Sequence, residues 1–298
     1  MKSFDDVLNL ARDKGKRRCV VVKAEDEAVL EGIRLAQELE LITPVLVGDA
    51  QAITTIAKKI QLQTADCEIH NCPDEAEAIV EANTLVREKG DFLMKGMLST
   101  SSFLKGVLDK ETGLRKGKIL SHIAALEIPS YHKLIFMSDG GMNPRLDLNI
   151  RIEIIKNAIE TLNLMGIEQP KIGLVAASET VHPDMPETVD AARIVEMNQS
   201  GRLTGATIAG PFGFDVAISK EAAAIKKIDS PVAGDVDFIL MPNISAANIW
   251  AKGLIYFGKT RAAGLVAGAL HPIIMLSRAD EPVTKLNSIA LGVIIAAT

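Results

Sequence analysis

The stretch CVVVKAEDEAVLEGIRLAQELELITPVLVGDAQAITTIAKKI, residues 19–60, alternates two kinds of apolar pattern. Short runs rich in β-branched residues, at 19–22 and 45–47, are typical of buried strands. Each run is followed by apolar residues at helical spacing, first from Val29 to Leu39 and then from Ile53 to Ile60. This alternation predicts parallel strands that are joined by crossover helices.

Outside this stretch the same alternation extends over the rest of the chain. Predicted strands lie near residues 67–69, 92–94, 119–124, 134–137, 172–176, 206–209, 238–241, 265–267 and 273–276, and predicted helices at 75–87, 101–108, 148–164 and from 283 onward. We therefore predict an α/β fold of two parallel-sheet domains with a cleft between them, domain I being 1–137 plus 274–298 and domain II 138–273. Clefts of this kind bind small ligands in open α/β folds.

Composition argues against several classes of partner. The 298 residues include 33 basic and 38 acidic side chains, a formal net charge of -5, and no long run of Lys or Arg, so nucleic acid is not an expected partner. The N-terminal segment is charged and lacks the apolar core of a signal peptide, and the apolar stretch 289–297 is about half of a bilayer span. We expect a cytoplasmic protein without a membrane partner, in which this stretch is a buried helix.

The three cysteines indicate neither a disulfide framework nor a metal site. Cys19 lies in an apolar, strand-like run, where a reduced and buried thiol is typical. Cys67, His70 and Cys72 are close in sequence, but they lack the second pair of ligands that a closed zinc site needs. We expect no metal there, and an ordinary strand followed by a turn.

The strongest local signal is MLSRADEP, residues 275–282. An apolar strand ends there in Ser277 and Arg278, and a helix is predicted to begin near Pro282, with Asp280 or Glu281 placed to cap it. A hydroxyl, a guanidinium and the positive end of a helix would meet at one point, which suits a phosphate or a developing oxyanion. The alternative is that Asp280 only caps the helix and that Arg278 forms a surface ion pair.

Three further strand ends carry polar or glycine-rich turns. SDGGMNP, 138–144, offers two glycines for close approach of a ligand and the Asn143 amide, although Gly-Gly and Asn-Pro are also ordinary turn residues. MKGMLST, 94–100, offers Lys95, Ser99 and Thr100 either as anion donors or as helix caps. AGPFGFD, 209–215, is a weaker glycine-rich turn.

Other familiar catalytic patterns are missing from the sequence. It contains no G-x-G-x-x-G turn and no G-x-S-x-G elbow, so Rossmann and triad-hydrolase interpretations lose support. His182 precedes a proline in a turn rich in acidic residues, where a surface position is more usual than a general base.

Five segments, taken in order, resemble the phosphate acetyltransferase and phosphate butyryltransferase family. They are SDGGMNP at 138–144, ASETVHPDMPETVDA at 177–191, AGPFGFDVAIS at 209–219, SPVAGDVDFILMPNISAANI at 230–249 and LSRADEPVTKLNSIAL at 276–291. The N-terminal half is similar more diffusely, chiefly through MKGMLST. Within the family, MNPRLDLNIRIEIIKNAIETL at 142–162 and the Lys285 that follows SRAD resemble the butyryl branch more than the acetyl branch.

The resemblance implies a reaction and an architecture. It implies two α/β domains like those of isocitrate and isopropylmalate dehydrogenases, in a homodimer or larger homo-oligomer. The implied reaction moves a short-chain acyl group, with butyryl favoured, reversibly between coenzyme A and inorganic phosphate. Acyl-CoA and phosphate are substrates, and no bound cofactor or metal is implied.

The resemblance also implies roles for individual residues. Ser277 and Arg278 match the Ser-Arg pair that the family places near the thiol and the phosphate. In the acetyl enzymes of the family, an Asp a few residues after the Ser-Arg pair takes the thiol proton. The corresponding position in this sequence is Thr284, so we assign the role of the base to Asp280 instead. The expected substrate-binding residues are Lys95, Ser99, Thr100, Asn143 and Asn248.

Three other functions stay open at this point. The nearest is a phosphate acetyltransferase or an enzyme of broad short-chain specificity. A nicotinamide-dependent decarboxylating dehydrogenase would need a cluster of metal-binding carboxylates, which the sequence does not show. A non-catalytic regulatory protein, like the tail of some malic enzymes, would bind acyl-CoA without turnover.

Overall fold

The computed structural model describes residues 1–117, 119–277 and 279–296, and its contacts divide the chain into two units. The terminal unit comprises Phe4–Lys118 and Ala263–Thr298, and the central unit comprises Met1–Ser3 and Ile119–Ala262. Each has helices and a mostly parallel sheet, which confirms the predicted α/β class. The cleft stays a prediction.

The terminal unit contains six strands in the order β3-β2-β1-β4-β11-β10. Its elements, in chain order, are α1 (Phe4–Asp13), β1 (Arg17–Val22), α2 (Glu27–Glu38), β2 (Ile42–Gly48), α3 (Ala50–Ile60), β3 (Glu68–Asn71), α4 (Glu75–Glu88), β4 (Phe92–Lys95), α5 (Thr100–Val107), β10 (Arg261–Ala267), β11 (Ile273–Ile274) and α11 (Pro282–Ala296). Strand β10 begins in the last residues of the central unit. It pairs antiparallel with β11, and the other pairs are parallel.

Three helices of the terminal unit begin at an aspartate that accepts hydrogen bonds from the first turn. Asp26 caps α2, Asp49 caps α3 and Asp74 caps α4. Each of these carboxylates satisfies backbone N–H groups that have no partner within the helix. These caps explain why α2, α3 and α4 begin directly after short strand-end loops.

Helices α1 and α11 lie together in the terminal unit. Helix α1 was missed in the sequence, although Phe4, Val7 and Ala11 recur at helical spacing and are buried. Helix α11 is buried from Lys285 to Ile294 and packs against α1 and α2, which confirms the buried helix predicted for the last apolar stretch.

The central unit has the strand order β5-β6-β9-β7-β8. Its elements are β5 (Ser121–Glu127), β6 (Ile135–Ser138), α6 (Leu148–Leu164), β7 (Lys171–Val175), α7 (Pro186–Gln199), β8 (Thr207–Phe212), α8 (Phe214–Ile218), α9 (Lys220–Ile225), β9 (Phe238–Leu240) and α10 (Ile244–Gly258). Only β5 runs antiparallel to its neighbour. The segment between β5 and β6 is too short for the crossover that a parallel pair requires.

The unit boundaries differ from the predicted domains, which were 1–137 plus 274–298 and 138–273. Strand β6 pairs with β9 through Phe136 and Phe238, and β5 pairs with β6, so both belong to the central unit. In the terminal unit, Ile273 of β11 pairs with both Leu93 of β4 and Val266 of β10. Two boundaries of the contact units therefore lie earlier in the chain than the predicted ones, and the bounds of the domains stay a prediction.

An ionic network lies at the amino-terminal edge of the central sheet. Lys133 Nζ lies 3.0 Å from Asp235 and 2.6 Å from Asp237, and it also donates to the Asp235 carbonyl oxygen. Lys171 and His132 contact the same Asp235 carboxylate at 2.5 and 2.8 Å. The side chains of Lys133, Asp235 and Asp237 are only 15 to 21% exposed, so solvent screens their attraction weakly.

All three cysteines are free thiols in the terminal unit. Cys19 is fully buried in β1, and Cys67 and Cys72 are half-buried on either side of β3. Between them, the His70 ring nitrogens contact Glu68 and Glu81 at 2.8 and 2.9 Å. None of the helices in the described part of the chain is both long and apolar enough to cross a membrane.

Candidate active site

The strand order of the terminal unit reverses between β1 and β4. The chain passes from β1 through α2 to β2 on one side, and from β3 through α4 to β4 on the other. At such a switch point the loops after two parallel strands diverge and leave a crevice in which ligands bind. The residues after Val22 and the end of β4 at Lys95 therefore form the first candidate region.

Backbone segments approach each other closely at this switch point. The Gly96 amide donates to the Val22 carbonyl oxygen at 2.9 Å, and the Met97 amide donates to the Lys23 carbonyl oxygen at 2.7 Å. A Cβ at position 96 would lie 2.1 Å from the Lys23 carbonyl oxygen, a distance that real Cβ atoms do not reach. Only glycine fits, so the chain reversal after β4 depends on this residue.

Two lysines mark the switch point. Lys95 is 7% exposed at the end of β4. Lys23 forms a 2.5 Å ion pair with Glu25 and donates to the Pro73 carbonyl oxygen at 2.8 Å. The second carboxylate oxygen of Glu25 is buried and has no hydrogen-bond partner in the described part of the chain. The sequence did not single out Lys23 or Glu25.

Ser99 and Thr100 lie at the beginning of α5 and are exposed. The Ser99 hydroxyl oxygen accepts from the Ser102 amide at 2.9 Å, so this side chain caps the helix. It also contacts the Ser102 hydroxyl oxygen at 2.9 Å. Cap and anion donor were alternatives for Ser99, and the contacts observed are those of a cap.

Ser277 and Asp280, which lie between β11 and α11, are joined by two hydrogen bonds. The Ser277 amide donates to the Asp280 carboxylate at 2.8 Å, and the Asp280 amide donates back to the Ser277 carbonyl oxygen at 3.1 Å. Helix α11 begins at Pro282, as predicted. Ser277 is exposed, and Asp280 is half-buried. Arg278, the guanidinium of the predicted pair, lies outside the described residues.

In the central unit, the loop 138–144 after β6 is organised around a buried carboxylate. One Asp139 oxygen accepts from the Gly141 and Met142 amides at 2.9 and 2.8 Å. The other accepts from the Asn143 side chain at 2.5 Å and from the His122 amide at 3.3 Å. Asp139 is fully buried, so it fixes the loop that presents the glycines.

Two predicted binding residues meet at this loop: Asn143 is part of it, and Asn248 contacts it from α10. The Asn143 side chain also donates to the Leu120 carbonyl oxygen at 2.9 Å. Asn248, on α10, donates to the Gly140 carbonyl oxygen at 3.0 Å. Both amides therefore hold the loop, and Asn248 remains exposed for a ligand.

His182 lies in the exposed segment after β7. Its Nε2 atom lies 2.8 Å from the Thr180 hydroxyl oxygen and 3.1 Å from the Ser178 hydroxyl oxygen. Within the described part of the chain, His182 contacts hydroxyl groups and no carboxylate. It is exposed, which matches the surface position expected for it.

Comparison with known proteins decides the family. The family described as "Phosphate acetyl/butaryl transferase" matches residues 73–293. A phosphate butyryltransferase of Clostridium beijerinckii is 41% identical over 99% of this chain and 98% of its own length. The chain belongs to the phosphate acetyl/butaryl transferase family. Both branches of the family are represented, because a phosphate acetyltransferase of Thermotoga maritima is 36% identical over 98% of this chain and 99% of its own length.

A solved structure of the family has the same fold. It is a branched-chain phosphotransacylase from Enterococcus faecalis V583, with a TM-score of 0.83 and 28% identity over 94% of this chain and 99% of that one. The family resemblance of the sequence is thereby confirmed. Asp139, Lys23 and Glu25 were missed because SDGG and KAED show only that polar residues follow a strand, and neither segment shows that Asp139 is buried or that Lys23 pairs with Glu25.

Proposed function

We propose that the protein transfers a short-chain acyl group, butyryl preferred, reversibly between coenzyme A and inorganic phosphate. The observation that carries this proposal is the match to a phosphate butyryltransferase over 99% of the chain. Membership of the family supports acyl transfer between a thioester and phosphate in general. The preference for butyryl rests on the butyryltransferase names of relatives that are 41 and 38% identical.

The reaction exchanges one bond to the acyl carbon for another. A phosphate oxygen attacks the thioester carbonyl carbon, the C–S bond breaks, and the sulfur leaves as a thiolate that takes the proton released by phosphate. The products are acyl phosphate and free coenzyme A. We assign Arg278 to the phosphate and the developing oxyanion, and Ser277 to the sulfur side.

Asp280 is our proposed carrier of the thiol proton. Its carboxylate has two oxygens, of which one accepts from the Ser277 amide at 2.8 Å. That contact fixes the carboxylate beside the residue assigned to the sulfur. A thiol has a reference pKa of about 8.5, so in the reverse direction a nearby base raises the thiolate fraction at neutral pH.

The proposed binding residues lie at or after the ends of two strands, β4 and β6, and on α10. Lys95, Ser99 and Thr100 lie at the end of β4 and the beginning of α5, and Asn143 and Asn248 contact the loop 138–144. Their hydroxyls, amides and ammonium group suit phosphate oxygens and the polar parts of coenzyme A. Holding the reactants in line contributes on the order of 7 to 11 kcal/mol to such a reaction.

The test is release of free sulfhydryl from butyryl-CoA by the purified protein, with and without orthophosphate. We expect release that depends on phosphate, with no added metal or cofactor, and equal formation of butyryl phosphate. Binding of acyl-CoA without release would instead support a regulatory acyl-CoA-binding protein.

The second candidate is a phosphate acetyltransferase, which the full-length match to the Thermotoga maritima enzyme favours. The ratio of kcat/KM for butyryl-CoA to that for acetyl-CoA separates the two. One methylene in an apolar pocket is worth about 10- to 200-fold, so a butyryl enzyme should prefer butyryl-CoA by at least tenfold. A preference for acetyl-CoA would overturn the proposed chain length.

We further propose a homodimer or larger homo-oligomer, with α10 at a subunit contact. This helix has one fully buried residue, Ala247, yet Ile249, Tyr256 and Phe257 are 71, 58 and 93% exposed. Such apolar surface is unusual on a free monomer. Mass measurement in solution should give a multiple of 32.0 kDa, and Phe257→Ser should reduce it. A cytoplasmic location stays a prediction.

A further inference from the structure

Lys285 is a buried lysine that none of the assignments above uses. It lies in the first turns of α11, and the whole residue is 3% exposed. Lysine is almost never fully buried unless it is paired, because removing an ammonium group from water is costly. Its contacts therefore call for a specific explanation.

The partner of Lys285 is the turn after β11. Its Nζ atom donates to the backbone carbonyl oxygen of Asp280. The other hydrogen bonds of this segment, among its described residues, are the two between Ser277 and Asp280 and a 3.4 Å bond from the Ala279 amide to the Ser277 hydroxyl oxygen. Lys285 thus ties the turn to a buried part of α11.

Helix α2 covers the other side of Lys285. A Cβ at Gly32 would lie 2.7 Å from the Lys285 Cβ atom, so α2 and α11 meet at this point without a side chain between them. Burial lowers the pKa of Lys285, and the negative charges of Asp280 and Asp26 oppose that effect. Asp26 also caps α2 directly after β1, so the field at Lys285 combines charges that follow β1 and β11.

We propose that Lys285 is a positioning residue that holds Ser277 and Asp280 in their reactive geometry, an inference that rests on the proposed function. The ammonium group acts on the Asp280 carbonyl oxygen and, through the turn, on the Ser277 and Asp280 side chains. Displacement of reacting groups by about 1 Å is enough to lower a rate on the order of 100-fold. The same burial makes Lys285 costly for stability, because among the described residues no carboxylate lies within ion-pair distance of its Nζ atom.

The test compares Lys285→Met with Lys133→Met, a lysine that is also poorly exposed but is paired with Asp235 and Asp237. Methionine retains most of the aliphatic chain and removes the charge. We expect Lys285→Met to keep or raise the Tm while kcat per folded enzyme falls about 10- to 100-fold, with KM for acyl-CoA changed less than about threefold. We expect Lys133→Met to lower the Tm and leave kcat unchanged.

Lys285→Arg provides the second variant, because it restores a cationic donor. We expect it to recover part of the kcat that methionine loses. An unchanged kcat in Lys285→Met would overturn the inference. A Tm that falls by more than about 10 °C in both Lys285→Met and Lys285→Arg would also overturn it, because it would show a mainly structural role for Lys285. Wild-type protein without phosphate-dependent release would instead contradict the proposed function, so the two failures are distinguishable.

Discussion

Lys133 and Lys285 are two poorly exposed lysines that differ in how closely carboxylates approach them. Lys133, in the central unit, has carboxylates at 3.0 and 2.6 Å and a backbone carbonyl oxygen as a third partner. Lys285, in the terminal unit, donates to one carbonyl oxygen beside the proposed reacting residues. Two carboxylates at ion-pair distance compensate the burial of Lys133. The burial of Lys285 is compensated less, and burial lowers the pKa of its ammonium group.

The contrast suggests two roles for buried charges: Lys133 stabilises the fold, and Lys285 positions the proposed reacting residues. Removing either partner of a buried ion pair destabilises the fold, because the remaining charge is then buried and unpaired. Among the residues that the structure describes, the Lys285 ammonium group has one hydrogen bond, to a neutral carbonyl oxygen, and only the longer-range attraction of Asp280 and Asp26 offsets its burial. The predictions below test this division.

The largest expected effect is on the reaction. Arg278→Ala should lower kcat about 100- to 1000-fold, because it removes a charge from the phosphate and the developing oxyanion. The measurement is phosphate-dependent sulfhydryl release. Arg202→Ala, which removes an exposed ion pair with Glu196, is the control and should leave kcat unchanged. Equal activity of both variants would remove Arg278 from the site.

The ionic network should dominate stability. Asp235→Asn leaves Lys133, Lys171 and His132 without their shared carboxylate. We expect a loss of about 3 kcal/mol in the free energy of unfolding, or about 6 to 12 °C in Tm, with kcat of the folded enzyme unchanged. Denaturant unfolding measures the first and a thermal scan the second. A change in kcat without loss of stability would contradict the division of roles.

Helix packing at Lys285 should be sensitive to one added methyl group. Gly32→Ala places a Cβ atom 2.7 Å from the Lys285 Cβ atom, so α2 and α11 must separate. We expect a cost of about 1 to 3 kcal/mol and a lower kcat. Glu38→Ala, in an exposed pair at the end of α2, should change stability by less than about 0.5 kcal/mol. Equal stability of the two variants would show that the helices adjust freely.

The pH dependence of stability should report the same network. Burial acts to raise the pKa of Asp235, but hydrogen bonds from Lys171, Lys133 and His132 outweigh it and lower that pKa below its usual range. A lowered pKa means that the unfolded state binds more protons, so this stability is complete above the unfolded pKa of about 3.9 and is lost as pH falls below it. Between pH 6 and pH 3, wild-type Tm should fall more than that of Asp235→Asn. Parallel curves would exclude this contribution.

The smallest effect is expected at Asn248. Asn248→Ala removes one exposed hydrogen bond, to the Gly140 carbonyl oxygen, and should raise KM for a substrate about threefold with little change in Tm. Steady-state kinetics with phosphate and acyl-CoA varied in turn would show which substrate is affected. An unchanged KM for both would leave Asn248 with a purely structural contact.

The sequence predicted the elements that repeat a pattern and missed those set by distant contacts. Helix α6 was predicted at its observed bounds, Leu148–Leu164, because its apolar period is long and uninterrupted. The antiparallel pairing of β5 with β6, and of β10 with β11, was not predicted. The direction of a strand depends on the connections between strands rather than on the residues within it.

The candidate site shows the same limit. The SRAD turn and the SDGG loop were found because polar residues interrupt an apolar run at a strand end. Asp139, Glu25 and Lys285 were not placed in the site, because the sequence pattern does not show that the Asp139 carboxylate, one Glu25 oxygen and the Lys285 side chain are buried. Whether Ser99 caps a helix was open in the sequence, and its contact with the Ser102 amide answers that question.

The state of the three cysteines bears on how turnover can be recorded. Full burial raises the pKa of the Cys19 thiol far above its usual range, and burial raises that of Cys67 to about 11. Burial, together with Glu81 and Glu77, also raises the pKa of Cys72. At neutral pH these side chains hold little thiolate, the species that attacks disulfide reagents. A colorimetric disulfide dye added to the native enzyme should therefore respond to liberated coenzyme A over a low protein background, without prior alkylation.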